Sequence, residues 1–534
     1  MRFLARLVTT PVVLGGILWC QAQHVHQLTE EEIGSVRFPT TCSKITEANF
    51  SRAVALLHSF QYELARKVFT DISREDQNCA MAYWGIGMSY YNGFADSIDL
   101  DGGRRALQRA QHLAMVNKTT SAREKDYVNA LAEIYRDRTD SSDRAQGFEQ
   151  KMRALQQAYP GETEAAVFHA LALAIAAQRK IDKTYVNQRE CGAILEPIFE
   201  KYPHHPGAAH YLIHCYDNPV LAERGLVAAR AYAKIAPASS HAHHMPSHIF
   251  TRLGLWDESI NSNLNAVTIA SKAEGSSTTV EARQYRLHSM DYLEYAYLQR
   301  GQVSQAEEVV STLRLLPPIP ELTPTCDYAI AAIPARYALE LGNWKQAGEL
   351  QVNRTAAPFA QAVTWQAIGV GSARAHELDR AMQSEQALSS LREELLKNRD
   401  VYWSDQVEVQ RREVSAWIKD ANGNTAGALA TMRSAAELED SMDKDVVTPG
   451  AIVPAREMLA ELLLVHDQAK DSLIEYQAVL KLTPNRFNAL YGAARAAEAS
   501  SNTPLALSYF KKLTEVAVGE ERPELSTARS KIQE

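Results

Sequence analysis

The sequence predicts an all-α chain made of repeated helical pairs. From Thr46 to the C-terminus, apolar residues recur every three or four positions and good helix formers dominate, above all Ala, while strand-like alternation is absent. Only 20 Pro and 25 Gly occur in 534 residues, which excludes collagen-like and Pro/Gly-rich disordered chains. Length alone would fit three or four globular domains, but a repeat fills the same length with one array.

The first 22 residues differ in kind from the rest. A short basic head precedes an apolar run of signal-peptide length that ends at Trp19, and small residues follow up to Ala22. We therefore predict an export signal at 1–22, an N-terminal extension at 23–45, and a periplasmic or secreted protein. Trp19 is bulky where lipoprotein processing tolerates small residues, so a lipid anchor on Cys20 is not predicted.

Export would place the cysteines in an oxidising compartment. The mature chain keeps an odd number of them: Cys42, Cys79, Cys191, Cys215 and Cys326. A bridge from Cys42 to Cys79 would tie the extension to the first helices, and at least one thiol stays unpaired. Five buried small hydrophobic residues are the alternative interpretation.

Charge and hydropathy argue against binding of nucleic acid and against a membrane span. The net charge is −8 and the basic residues are scattered, so the sequence has no basic stripe for nucleic acid. No internal stretch reaches about 18 apolar residues, so the mature chain is not expected to span a membrane.

A short phrase recurs along the predicted helices. It consists of a small or turn residue, an aromatic residue, a small residue and often a large one four positions on, as in Tyr62, Ala65 and Phe69. The phrase resembles that of the tetratricopeptide repeat (TPR), a 34-residue helix-turn-helix. A repeat that starts at Val453 has Pro484 at its closing position, and the next start, Phe487, lies 34 residues on.

The resemblance implies a TPR-like α-α superhelical solenoid over 46–534, right-handed and with a concave groove. Its clearest units lie near 46–79, 80–113, 209–239, 240–286, 287–327, 328–361, 410–443, 453–486 and 487–520. The longer gaps, 114–208 and 362–409, are expected to hold degenerate helical pairs. Functional residues are then expected on one face of the first helix of each repeat.

Three phrases resemble a narrower group, the long exported TPR proteins of bacteria with fungal relatives. They are CAMAYWGI at 79–86, HMPSHIFTRLG at 244–254, and NRF at 485–487 followed by YGAAR at 491–495. The similarity spans nearly the whole mature chain. It implies the fold and export, and it implies no particular reaction.

Histidine is concentrated in one part of the chain. Eight of the 16 histidines fall within 45 residues: His204, His205, His210, His214, His241, His243, His244 and His248. His288 follows 40 residues later. In TPR proteins, positions 2, 5 and 9 of the first helix line the groove. The frame that starts at Ser240 places His241, His244 and His248 at these positions.

The leading functional hypothesis is an exported scaffold that binds a peptide, a protein or a small polar ligand in its groove. The predicted contact residues are His241, His244, His248, His288, Asp291 and Arg336. Arg336 would face Asp291 and pair with it or hold a carboxylate of the ligand. The precedent is capture of extended peptides by repeat grooves, which is an argument from fold alone.

A metal site is the alternative, because His210/His214 and His244/His248 are i, i+4 pairs on neighbouring helices. The predicted ligands are His210, His214, Asp217, His244 and His248, with His288 as a further candidate, for Zn, Cu or Fe in a metal carrier or metal-dependent enzyme. A third possibility is an assembly scaffold with no localised site. No HExxH, P-loop or GxSxG motif occurs, so no reaction is predicted.

Pro246 lies at position 7 of the same predicted helix. It removes a backbone hydrogen bond, so we expect the helix to kink or to begin late. If it begins at Pro246, His241 and His244 lie on a loop. Pro334 occupies the same position in the frame that starts at Tyr328.

Overall fold

The computed structural model describes residues 28–95, 97–137, 140–178, 182–274, 279–317 and 323–533. The predicted export signal, Cys20 and the start of the predicted extension lie outside these residues. The described part consists of helices and two short strands. The strands, β1 (Tyr91–Asn92) and β2 (Ser97–Ile98), form one antiparallel pair. The all-α prediction is confirmed.

The helices of the N-terminal half follow one another with short connections. Their bounds are α1 (Glu30–Ile33), α2 (Glu47–His58), α3 (Tyr62–Glu75), α4 (Ala80–Met88), α5 (Leu100–Val116), α6 (Ala122–Ile134), α7 (Ser141–Ala158), α8 (Thr163–Gln178), α9 (Val186–Lys201), α10 (Pro206–Tyr216), α11 (Leu226–Ile235), α12 (Ser240–His244), α13 (Pro246–Arg252) and α14 (Trp256–Ala273). Two 3₁₀ turns, Lys44–Thr46 and Ala222–Gly225, precede α2 and α11.

The C-terminal half continues the same pattern. It contains α15 (Thr279–Gln299), α16 (Val303–Leu315), α17 (Pro324–Glu340), α18 (Trp344–Gly348), α19 (Pro358–Arg374), α20 (Leu378–Lys397), α21 (Val401–Ala421), α22 (Thr425–Asp440), α23 (Ala455–Val465), α24 (Ala469–Leu482), α25 (Phe487–Ala499), α26 (Thr503–Val516) and α27 (Pro523–Gln533).

Neighbouring helices approach closely where a glycine faces an aromatic ring. A Cβ atom on Gly85 of α4 would lie 2.4 Å from the ring of Phe69 of α3. A Cβ atom on Gly492 of α25 would lie 2.1 Å from the ring of Tyr476 of α24. These contacts are the small-residue crossings that a helical-pair repeat requires, and the chain forms a TPR-like solenoid of stacked helices.

The helix starts differ from some of the predicted unit starts. The predicted starts near 80, 240 and 487 coincide with the first residues of α4, α12 and α25, and the two long gaps hold α6 to α9 and α19 to α20. The predicted starts at 287, 328 and 410 lie inside α15, α17 and α21. α15 and α21 are each 21 residues long, longer than one helix of a 34-residue repeat.

The end of the array packs back onto its middle. The Trp256 side chain donates a hydrogen bond to the Asn485 carbonyl at 2.9 Å, and the Phe487 amide donates to Gln299 Oε1 at 2.9 Å. Gly254 has a positive φ of 64°, and a Cβ atom there would lie 2.1 Å from the Pro484 carbonyl, so only glycine fits. One hydrophobic core therefore joins α14–α17 to α25–α27.

An irregular connection between α22 and α23, residues 441–454, crosses the inner face of the solenoid; we call it the 441–454 segment. Lys444 Nζ lies 2.8 Å from Asp217 Oδ2 at the end of α10. The Tyr292 hydroxyl of α15 donates to the Thr448 carbonyl at 2.9 Å. The Tyr402 hydroxyl of α21 lies 3.1 Å from the Asp443 carbonyl. The segment thus connects the end of α10 with α15 and α21.

Four of the five cysteines among the described residues form disulfides. Cys42 and Cys79 form the predicted bridge, Cys191 and Cys215 form a second one, and Cys326 is buried and free. Among the described residues, no helix combines the length and the apolar content that crossing a membrane requires.

Candidate metal centre

The histidines of the central repeats meet in two groups. The first cluster consists of His210 and His214 of α10 and His241 of α12, and the second cluster consists of His244 of α12, His248 of α13 and His288 of α15. Within each cluster, one candidate ligand atom from each histidine lies within 4.8 Å of the other two. Five of the six side chains are almost fully buried, and His214 is half-buried.

The helix that carries three of these histidines is interrupted at the predicted place. α12 ends at His244 and α13 begins at Pro246, with a break at Met245. His241 and His244 lie on α12 rather than on a loop. Pro334, by contrast, lies inside α17, which continues past it as one helix.

In the first cluster, three Nε2 atoms converge. His210 Nε2 lies 3.1 Å from His214 Nε2 and 3.0 Å from His241 Nε2. His210 Nδ1 lies 2.6 Å from the backbone carbonyl of His58, which can only accept, so Nδ1 carries the proton and Nε2 keeps its lone pair. One lone pair therefore faces two further imidazole nitrogens.

A glycine allows α10 to come this close to α2. A Cβ atom on Gly207 would lie 2.7 Å from Nδ1 of His58. Without that atom, the first turn of α10 rests against the His58 ring, and His210 one turn later reaches the His58 carbonyl. The position of the first cluster thus depends on a helix contact on its outer side.

In the second cluster, two imidazoles have their outer nitrogens fixed. His244 Nδ1 lies 2.7 Å from Asn263 Oδ1, and Asn263 Nδ2 donates to the Ser259 carbonyl at 2.8 Å, which sets the orientation of the amide. His248 Nδ1 lies 2.8 Å from Asp217 Oδ2. Both Nδ1 atoms therefore donate, and the Nε2 atom of each neutral ring has a free lone pair.

Those two lone pairs face each other, because His244 Nε2 and His248 Nε2 are 3.1 Å apart. Burial lowers the pKa of all six cluster histidines, that of His210 to about 3, which favours neutral imidazoles near pH 7. Two acceptors at this distance repel each other unless a cation lies between them. The arrangement is typical of a metal site whose ligands are oriented by outer hydrogen bonds.

The spacing also fits a metal ion. Bonds of about 2.0–2.1 Å from zinc to imidazole nitrogens place tetrahedral ligands about 3.3 Å apart. The Nε2 separations of 3.0 and 3.1 Å lie a few tenths of an ångström below that value. Small side-chain movements would complete three-nitrogen coordination.

Aromatic rings and one charged network surround the clusters. Phe94 stacks on His214 with ring centroids 3.8 Å apart, and Tyr292 lies 4.8 Å from the rings of both His244 and His248. Behind His248, Asp217 receives Arg252 Nε and Lys444 Nζ, each at 2.8 Å. Burial opposes ionisation of Asp217, but these two cations outweigh it and hold its pKa well below the usual range.

A small cavity of about 80 Å³ leads to the first cluster. Its wall includes His214 and Asp217, together with Asp182 and Gln188, which are half-exposed. An ion therefore has a route from the surface to a cluster ligand.

A third group, His58, Glu164 and His205, has the composition of a metal site but a different geometry. Glu164 Oε2 lies 2.8 Å from His58 Nε2, and Glu164 Oε1 lies 2.7 Å from His205 Nε2. The remaining ring nitrogens contact the Tyr211 hydroxyl and the Ala208 amide. Every nitrogen in this group has a protein partner, so the group is a hydrogen-bonded network.

The structure separates the predicted site residues into three roles. His241, His244, His248 and His288, predicted to face an open groove, belong to the enclosed clusters. Asp217, predicted as a metal ligand, lies behind His248 instead. Arg336 pairs with Asp291, as predicted, and with Glu294, and all three are fully buried, so this pair belongs to the core.

Sequence reasoning missed Asn263 and Lys444. Asn263 lies inside an ordinary amphipathic helix, where nothing in the sequence distinguishes it. Lys444 lies between two predicted units, 410–443 and 453–486, and that irregular gap was the only available signal.

A larger cavity of about 380 Å³ lies on the other side of the 441–454 segment. Its wall includes Tyr402, Trp403, Gln366, Glu413 and Glu439. Burial and the neighbouring Glu439 raise the pKa of Glu413 well above its usual range, and burial raises that of Glu439 to about 7. The cavity has the size of a small-molecule site.

No family model matches the sequence, and no curated protein matches it. Solved structures similar to this chain include the human IFIT1 dimer with m7Gppp-AAAA (11% identity, 79% of this chain and 87% of that chain, TM-score 0.33) and yeast Tom70 (12%, 91% and 96%, TM-score 0.29). A third is Naa15/Naa10 bound to HypK-THB (14%, 90% and 71%, TM-score 0.22). At these identities the similarity concerns helical architecture alone, and no ligand is transferred from it.

Proposed function

We propose that this chain is a metal-binding protein whose ions are held by the two histidine clusters. The observation that carries the proposal is the pair of opposed acceptors, His244 Nε2 and His248 Nε2, 3.1 Å apart with both outer nitrogens already donating. A cation between them removes the repulsion. Imidazole donors suit Zn, Cu or Fe.

The solenoid explains why such a site is rigid. Each ligand lies on a helix, and outer hydrogen bonds from Asn263, Asp217 and the His58 carbonyl fix three of the six rings. The 441–454 segment reaches the second cluster through Lys444, which contacts Asp217, and through the Thr448 carbonyl, which accepts from Tyr292. Ligands held this way lose little entropy on binding an ion.

Elemental analysis of protein purified without a histidine tag tests the proposal. We expect Zn, Cu or Fe in stoichiometric amount, with at least one equivalent lost in His244→Ala/His248→Ala. His243→Ala is the matched control, since His243 lies between cluster residues in sequence but belongs to neither cluster, and its ring hydrogen-bonds the Pro237 carbonyl at 3.1 Å. Circular dichroism shows whether each variant is folded.

Two results would overturn the proposal. One is wild-type protein that contains no metal and takes up none from solutions of Zn, Cu or Fe(II). The other is equal metal content in the folded double variant and in His243→Ala.

Export is part of the proposal. The two disulfides support it, because disulfides persist in oxidising compartments. Detection of the mature protein outside the cytoplasm, with an N-terminus near residue 23, tests it; an uncleaved cytoplasmic chain would contradict it.

A second candidate function is binding of a small polar ligand in the 380 Å³ cavity. Gln366 favours it, since this side chain is 3% exposed, lines the cavity and has an oxygen with no hydrogen-bond partner within the described part of the chain. Thermal shifts with free amino acids, dipeptides and monosaccharides test it. A compound that stabilises wild type and not Gln366→Leu supports it, and no stabilising compound in these classes removes it.

A further inference from the structure

The two clusters lie against each other. His241 and His244 are three residues apart on the same short helix, yet they belong to different clusters, and their ring centroids are 6.3 Å apart. His214 and His248, again from different clusters, have ring centroids 6.2 Å apart. Two ions bound at the clusters would therefore be neighbours in one enclosed volume.

We propose that the two clusters form one dinuclear centre that holds two copper ions in the univalent state. The inference rests on the proposed function, because it presupposes that the clusters bind metal. It adds the number of ions, their relation to each other, and the identity and charge of the metal.

The charge of the surroundings argues for copper. All six ligands are neutral imidazoles, and neither cluster includes a carboxylate or thiolate among the described residues. The adjacent carboxylate, Asp217, already faces two cations, Arg252 and Lys444. Buried charge without a counter-charge is costly. Two univalent copper ions bring half the charge of two zinc ions.

The donor type agrees with this choice. Imidazole nitrogens are suitable donors for copper. Three protein nitrogens at each ion also leave one coordination position open. A small external molecule such as carbon monoxide, which binds univalent copper and not zinc, can report on that open position.

The test begins with the untagged, metal-free full chain, titrated with copper(I) without oxygen. We expect two copper ions per chain, and one in each of His210→Ala/His214→Ala and His244→Ala/His248→Ala. His243→Ala should again bind two. With carbon monoxide, the copper-loaded protein should show an infrared C–O band that the zinc-loaded protein lacks.

Two measurements on wild type avoid dependence on the variants. X-ray absorption should show nitrogen ligands at a single short distance from copper. After ferricyanide takes one electron from each ion, the electron paramagnetic resonance spectrum should be broadened by the dipolar interaction between two neighbouring copper(II) ions. Each folded double variant should give one full spin.

The possible failures are distinct from those of the proposed function. One copper per chain, an unbroadened spectrum of oxidised wild type, or tighter binding of zinc than of copper overturns the dicopper centre while metal binding stands. No metal uptake at all overturns both.

Discussion

The His58–Glu164–His205 network and the two histidine clusters are all largely buried, but they differ in what their imidazole nitrogens face. In the His58–Glu164–His205 network, each imidazole nitrogen faces a carboxylate oxygen, a hydroxyl or an amide. In the first and second clusters, imidazole nitrogens face other imidazole nitrogens at 3.0–3.1 Å. The hydrogen bonding of the network is complete without an ion, and that of the two clusters is not. Orientation, rather than histidine density, therefore distinguishes the proposed metal site.

The largest effect on stability is expected from Glu164→Ala. It removes the acceptor shared by two buried imidazoles, and breaking a buried pair in this way costs about 3–5 kcal/mol. Urea unfolding of metal-free protein measures the change. Metal content of the folded variant should equal that of wild type; loss of one equivalent would mean that the network belongs to the metal centre.

The next effect concerns the second cluster alone. Asn263→Leu removes the acceptor that orients His244, and loss of such an outer partner weakens metal binding about 10–100-fold. Competition with a chelator of known affinity measures it. Ser247→Ala is the control, because Ser247 contacts the same Asn263 oxygen at 3.3 Å but does not touch His244 through a hydrogen bond. Unchanged affinity in Asn263→Leu would contradict the role of the outer hydrogen bond.

Acid should destabilise the folded protein by protonating Glu164 in the His58–Glu164–His205 network. Burial would raise the pKa of Glu164, but His205 and His58 outweigh it and lower that pKa to about 2. A carboxyl with a lowered pKa in the folded state contributes stability above its ordinary pKa of about 4.5, and this stability is lost as pH falls toward 2. Wild type should therefore lose about 1–2 kcal/mol more than Glu164→Gln between pH 5 and pH 3 in metal-free urea unfolding. Parallel losses in the two proteins would contradict the assignment.

The smallest effect is expected from His243→Ala. This histidine is half-buried, and its ring hydrogen-bonds the Pro237 carbonyl. The free energy of unfolding should change by less than about 0.5 kcal/mol, and metal content should not change. A loss of metal would show that proximity in sequence, and not cluster geometry, determines binding.

Much of the fold was predictable because the repeat is encoded by residue patterns over short stretches of sequence. Helix crossings could be predicted from the phrase Tyr62, Ala65 and Phe69 and from small residues such as Gly85. Each crossing depends on contacts between helices that are neighbours in sequence. Closure of the array was not predictable. Contacts such as Trp256 with Asn485 join residues far apart in the chain, and no periodicity encodes them.

The site was predictable in part for the same reason. The i, i+4 pairs His210/His214 and His244/His248 could be identified because one helix sets both partners. The division into two clusters could not, since it depends on His241 and His244 leaving one short helix in different directions. The 441–454 segment was also missed; it contacts α10, α15 and α21, where the sequence predicts an open groove.

Anomalous diffraction from crystals of the untagged, copper-loaded protein tests the central claim most directly. The geometry of the clusters predicts two peaks at the copper edge. One should lie about 2.0–2.1 Å from nitrogens of His210, His214 and His241, and the other at the same distance from nitrogens of His244, His248 and His288. A peak at the His58–Glu164–His205 network, or no peak at either cluster, would contradict the claim.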